Sequence, residues 1–83
     1  MSPFWPDGVE LRVRDADGTP LEIEWQGSWY PVAWIDCHWR VHTFWWRETE
    51  LERNYWQVAM DGMLSVIYQD VATGAWYMDR IYA

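Results

Sequence analysis

The chain has 83 residues, half of them hydrophobic, so it makes a single small domain able to bury about 60–65% of its unfolded surface. Thirteen acids against six arginines, with no lysine, give a net charge of −7, which excludes the coating of nucleic acid by bulk attraction to phosphate. The single Cys37 excludes an internal disulfide scaffold, and with no apolar run near the roughly 18 residues of a membrane span and no signal-peptide core after Met1, the chain is expected to be cytoplasmic.

Residues 1–8 read as an N-terminal extended arm, because Pro3 and Pro6 block helix and bias the residues before them toward extended backbone. Phe4 and Trp5 on this arm are expected to cap the open end of the domain, the alternative being a flexible tether that docks onto a partner. Residues 9–83 read as one β-barrel-like domain. Val9, Leu11 and Val13 alternate with Glu10, Arg12 and Arg14, the pattern of a half-buried strand. Asp15-Ala16-Asp17-Gly18 supplies a turn, and Leu21, Ile23 and Trp25 alternate with Glu22, Glu24 and Gln26 in a second strand. Gln26-Gly27-Ser28 turns the chain into a third strand over Trp29 to Ile35, with Pro31 expected at an edge or a bulge because it lacks an amide proton.

Asp36-Cys37-His38 interrupts the pattern, and Trp39 to Trp46 resumes it as a fourth strand. The acidic stretch from Arg47 to Glu52 reads as a loop or one helical turn. Asp61-Gly62 separates two β-rich runs, Arg53–Met60 and Met63–Asp70, and predicts a type I′ hairpin that pairs Met60 with Met63 and Val58 with Ser65. Val71 to Gly74 turns once more before a last strand from Ala75 to Tyr82. Six or seven short antiparallel strands define an all-β fold, a small, strongly curled sheet or barrel in which closure would remove aggregation-prone edges.

Catalytic and metal chemistry find no footing in this pattern. His38 and His42 have an H-x3-H spacing that suits zinc on a helix, but on a strand the two imidazoles stand roughly 13 Å apart, beyond the reach of one ion unless a bend or bulge at Asp36–Trp39 brings them together. Ser65 lies mid-strand and Ser28 in a turn, neither with a histidine placed beside it. The five glycines are scattered singly and form no phosphate-cradling loop. The expectation is therefore a protein that is not an enzyme and carries neither cofactor nor metal.

A set of aromatic and arginine residues remains as the candidate binding site: Trp45, Trp46 and Arg47; Arg53, Tyr55 and Trp56; Trp76, Tyr77 and Arg80. Neighbours on a strand face opposite sides, so each aromatic doublet is expected to send one ring inward and one outward. The arginines at 47, 53 and 80 are then placed to lie over exposed rings as cation–π pairs. Such a surface suits a protein interface, where Trp, Tyr and Arg dominate the binding energy. It also suits a platform on which the bases of a single strand stack. A purely structural role, rings stacked across strands in an aromatic core, is the third reading.

Trp25-x-Gly27, Tyr30-x-Val32, Trp39, Trp45-Trp46-Arg47, Arg53-x-Tyr55-Trp56-x-Val58, Tyr68-x-Asp70 and Gly74-x-Trp76 through Arg80-x-Tyr82 run in an order that resembles a small bacterial Trp-rich family. Members of that family are encoded near the ImuB-type subunit of the SOS mutasome, a Y-family-polymerase-like protein without polymerase activity. A similar block occurs near the C-terminus of some ImuB-type chains. The likeness covers Val9 to Tyr82 and transfers no catalytic residue. It implies a setting in DNA damage tolerance and translesion synthesis, with a mutasome polymerase-like subunit as the partner. Together these expectations describe an adaptor that docks on a protein through its Trp/Tyr/Arg patch. Single-stranded nucleic acid is the alternative ligand, and a homodimer is also compatible with exposed rings and strand edges.

Overall fold

The computed structural model describes residues 4–44 and 50–82, which form seven strands: β1 (Phe4–Ala16), β2 (Thr19–Trp25), β3 (Ser28–Pro31), β4 (Trp34–Phe44), β5 (Glu50–Met60), β6 (Met63–Asp70) and β7 (Trp76–Tyr82). They make one sheet in the order β3-β2-β1-β7-β6-β5-β4, and every neighbouring pair is antiparallel. No helix occurs among the described residues, so none is long and apolar enough to cross a membrane.

The connectivity forces the sheet to curl. β3 and β4 are its two edges, yet only Val32 and Ala33 join them. Six flat interstrand spacings would hold the edges about 29 Å apart, whereas the three steps from Pro31 to Trp34 reach at most about 11 Å. The sheet therefore rolls into a half-barrel, closed at the end where the connection crosses. There the Val32 amide donates to the Leu21 carbonyl (2.8 Å) and the Ala33 amide to the Ala59 carbonyl (2.7 Å), tying β2 to β5. At the other end the seam stays open, because β4 runs for eleven residues and β3 for four.

Turn chemistry sets the register. Asp61 and Gly62 both have positive φ (48° and 71°), the signature of a type I′ turn, and the hairpin pairs Met60 with Met63 and Val58 with Ser65 as the sequence predicts. Asp17-Gly18 and Gln26-Gly27 repeat the same geometry between β1, β2 and β3. β1 is shared between two halves of the sheet, pairing with β7 from Phe4 to Leu11 and with β2 from Arg12 to Ala16.

Three sequence expectations need correction. The run from Trp29 to Ile35 is not one strand: Pro31 ends β3, and Val32-Ala33 make the crossing. Asp36 does not break the chain but forms a bulge within β4, between Ile35 and Cys37, where its carboxylate accepts from Gln57 Nε2 at 2.8 Å. Glu50 to Glu52, expected in a loop or one helical turn, already belong to β5; at the N-terminus Phe4 pairs with Arg80 before a bulge that ends at Val9. Trp5 meets Trp25 edge-on at 5.4 Å and so packs against the core, close to the capping role expected of it.

The core lies on the inner, concave face. Ile23, Val58, Met60, Ile67 and Met78 are fully buried there, and Trp25, Trp56 and Trp76 join them. Alternation along β5, β6 and β7 sends the intervening side chains to the outer face, where the candidate site lies.

Candidate functional site

Cross-strand register builds the site. Trp39 on β4 pairs with Tyr55 on β5, Tyr55 with Tyr68 on β6, and Tyr68 with Tyr77 on β7. Four rings thus stand in one row across the outer face, with centroids 5.3, 5.1 and 5.1 Å apart. These are the separations at which cross-strand aromatic pairs contribute beyond their buried area. Tyr68 is buried, Tyr55 and Tyr77 are half-buried, and Trp39 is exposed at the β4 end.

Arg53 lies over the Tyr68 ring, 4.4 Å from its centroid, and donates through Nη1 to the Tyr55 hydroxyl at 3.3 Å. On the other side of the row, the β6–β7 register shifts so that Val66 faces Arg80 and Ile67 faces Met78. Asp79 is the extra residue of that bulge. Its carboxylate is nearly buried and accepts from Arg80 Nε at 2.8 Å. Trp39, Val41, Tyr55, Val66, Asp79, Arg80 and Tyr82 line a shallow cleft of about 380 Å³ on this face.

Of the nine residues singled out in the sequence, four gather here: Arg53, Tyr55, Tyr77 and Arg80. Trp56 and Trp76 belong to the core instead, 5.0 Å apart and each 6% exposed. Both doublets therefore split one ring in and one ring out, with the tryptophan inward each time. Trp45, Trp46 and Arg47 lie outside the described residues. The site also includes Trp39, Tyr68 and Asp79, which the sequence reading left out of it. A period-2 count along each strand places them on the outer face, but only the register between strands brings them into one row.

The arginines are largely engaged where they stand. Arg12 pairs with Glu24 at 3.8 Å, Arg14 with Glu22 at 3.3 Å while also lying over the Trp29 ring, and Arg40 with Glu52. With Arg53 on its tyrosines and Arg80 on Asp79, each described arginine has an acid or a ring as partner. They are spread over both faces and do not line one groove.

Two other clefts are polar or incidental. The larger of the two, about 660 Å³, is the gap where β2 parts from β1 beyond the Arg12–Glu24 pair, lined in part by Trp5 and Trp25. The second, about 330 Å³, lies at the open seam, where Asp17 and Thr19 of the β1–β2 hairpin face His38, Arg40 and Asn54. Here the His38 imidazole stacks on Trp56 at 4.6 Å and 13°. Among the described residues no three of His, Cys, Asp or Glu come together as a metal site.

Burial pushes the Tyr68 phenol above its ordinary value of 10.0, with the Arg53 charge opposing the rise. The sign follows from linkage: a group whose pKa is raised by folding contributes stability that is present below the unfolded value and lost as pH rises through the folded one. Alkaline destabilisation is therefore expected to begin near pH 10, and Tyr68→Phe should remove part of it. Denaturation midpoints measured on both proteins from neutral pH upward, with phenolate absorbance followed in parallel, check this. Equal alkaline slopes for the two would contradict it.

No protein-family model, curated protein or solved structure matches this chain.

Proposed function

We propose that the chain is a non-catalytic interaction module, an adaptor that docks a protein partner through the outer aromatic row and the cleft beside it. One observation carries this reading: the rings of the row are flanked by arginines that are already engaged, Arg53 with Tyr68 and Tyr55, and Arg80 with Asp79. A phosphate backbone needs cations that converge and exchange their counterions. An interface core needs half-buried rings whose flanking charges are already engaged, which is the arrangement present here, with Arg53 Nε the one buried donor of that pair left without a hydrogen bond. The sequence resemblance supplies the setting: an accessory role in translesion synthesis in the cytoplasm, with the mutasome polymerase-like subunit as partner.

The second reading, a base-stacking platform for single-stranded nucleic acid, draws its support from the row itself, since four rings in line at about 5 Å resemble the surfaces on which bases stack. The nine tryptophans make the test simple. Titration with a single-stranded oligonucleotide at low and at high salt should leave the tryptophan fluorescence unchanged, while the polymerase-like subunit should give a saturable change. Tyr77→Ala should weaken that second titration by about tenfold or more, as removal of an interface hot spot does. Saturable quenching by the oligonucleotide that fades with salt would reverse the assignment.

A further inference from the structure

The two edges of the sheet are treated differently. β3 is four residues long and stops at Pro31, two devices that blunt an edge. β4 runs for eleven residues, Trp34 to Phe44, with no proline and no lysine in it. It is the outermost strand on its side of the sheet among the described residues. It also carries three of the large exposed hydrophobic side chains, Trp34 (63% exposed), Ile35 (37%) and Trp39 (38%). Beyond the Asp36 bulge the edge pairs without a break from Cys37 to Phe44, and an edge of this length with apolar residues at alternate positions is a template for another strand.

The hydrogen-bonding direction of β4 follows from the register. The Val71 amide donates to the Glu52 carbonyl, which extends the β5–β6 ladder and points the even-numbered residues of β5 toward β6. The odd-numbered residues then point toward β4, where Tyr55 pairs with Trp39 and Arg53 with Val41. His38 and Arg40, lying between these pairs, direct their backbone amides and carbonyls away from β5, out of the sheet edge.

We propose that this edge takes an added strand from a partner protein, a segment apolar at alternate positions and of net positive charge; the proposal rests on the reading of the chain as a docking module and specifies how it docks. The apolar positions follow from the row they would join, since Cys37, Trp39 and Val41 share the outer face of β4. The positive charge follows from the net charge of −7 and from the inner side of the edge, where Asp17 faces Arg40 across the seam and Arg40 is already neutralised by Glu52. A second copy of this chain fits less well. Self-pairing centred on Trp39 would set His38 against Arg40 twice and would join two bodies of charge −7.

The test uses two peptides of about ten residues, the length of the edge, one alternating valine with lysine and the other valine with glutamate. Each is titrated into the whole protein while backbone amide resonances are followed. The lysine peptide should shift and protect the amides of His38 and Arg40, and the glutamate peptide should bind about tenfold more weakly or not at all. Arg40→Pro removes the outward donor at a position where an edge strand accepts proline, and Arg40→Ala removes the same side chain but keeps the donor. Near-UV circular dichroism verifies that both variants are folded. The alanine variant, which also frees Glu52 from its ion pair, should bind the lysine peptide at least as tightly as the parent does, and the proline variant should lose at least about tenfold relative to the alanine variant.

Equal binding by the two variants, or equal binding of the two peptides, would overturn the proposal. So would sedimentation of the free protein as a dimer that Arg40→Pro dissociates, because the edge would then belong to a second copy. If neither peptide binds, strand addition falls while the docking-module reading stands or falls separately on the titrations with the oligonucleotide and the polymerase-like subunit.

Discussion

Gly8→Ala is expected to lower the melting temperature by at least about 10 °C, from a loss of about 2–4 kcal/mol in a domain of this size. Gly8 sits in the bulge of β1 between Phe4 and Val9, with φ of +73°, a conformation that costs an L-residue about 1–2 kcal/mol. The packing adds to this. A Cβ at that position would lie 2.5 Å from the Tyr68 hydroxyl and 2.9 Å from the Tyr77 Cβ. The hydroxyl is the far end of a side chain, but it is buried in the aromatic row. The Tyr77 Cβ cannot move without its strand. Gly74→Ala provides the comparison, because its φ of +77° is similar and nothing stands within 4 Å of an added Cβ. It should cost only the backbone share, about 1–2 kcal/mol. Thermal unfolding of the two variants beside the parent separates strain from overlap. Equal losses would mean that β1 shifts freely over Tyr68, and that the start of this strand does not hold the outer row in place.

Much of the fold was legible in the sequence because short-range chemistry determined it. Asp61-Gly62 gave the register of β5 and β6 to the residue, since a two-residue turn with positive φ leaves no other pairing. The strand from Val9 and the strand from Leu21 alternated cleanly, because one of their faces is solvated. β4 was less legible. Its residues are mostly exposed on both faces, so no burial pattern marks where it begins, and the Asp36 bulge resembles a break. The site was half legible for a related reason. Alternation shows that Tyr55 and Trp56 face opposite ways, but not which is inward. That choice depends on the stagger with β6, where Trp56 meets Ile67 and Tyr55 meets Tyr68. The contribution of Tyr68 depended on its register with both β5 and β7, and that of Asp79 was hidden further, since it involves the bulge between Val66 and Ile67 in the β6–β7 ladder. Some arginine partners were equally non-local: Glu52 lies twelve residues from Arg40 and becomes its neighbour only across β4 and β5.

The inward choice at Tyr55-Trp56 sets the second large effect. Trp56→Ala should cost about 3–5 kcal/mol, the usual range for emptying a buried aromatic site. A domain of this length has a total stability of about 4–12 kcal/mol, so the variant stands near the limit of folding. Trp56 touches Trp76 on one side and carries the stacked His38 ring on the other. The loss would therefore loosen the joint between the core and β4. Trp39→Ala, on the neighbouring residue of β4, should cost only about 1 kcal/mol, the value of its stacked pair with Tyr55. Urea midpoints give both numbers, and Trp56→Phe keeps the experiment informative if the alanine variant does not fold, because a smaller ring retains most of the burial. The two tryptophans should then separate by function. Trp39→Ala should weaken partner binding while leaving the fold intact, whereas Trp56→Phe should lower stability with binding little changed. The opposite result would mean that the inner face, not the outer row, meets the partner, and that the splitting of the doublets has no bearing on docking.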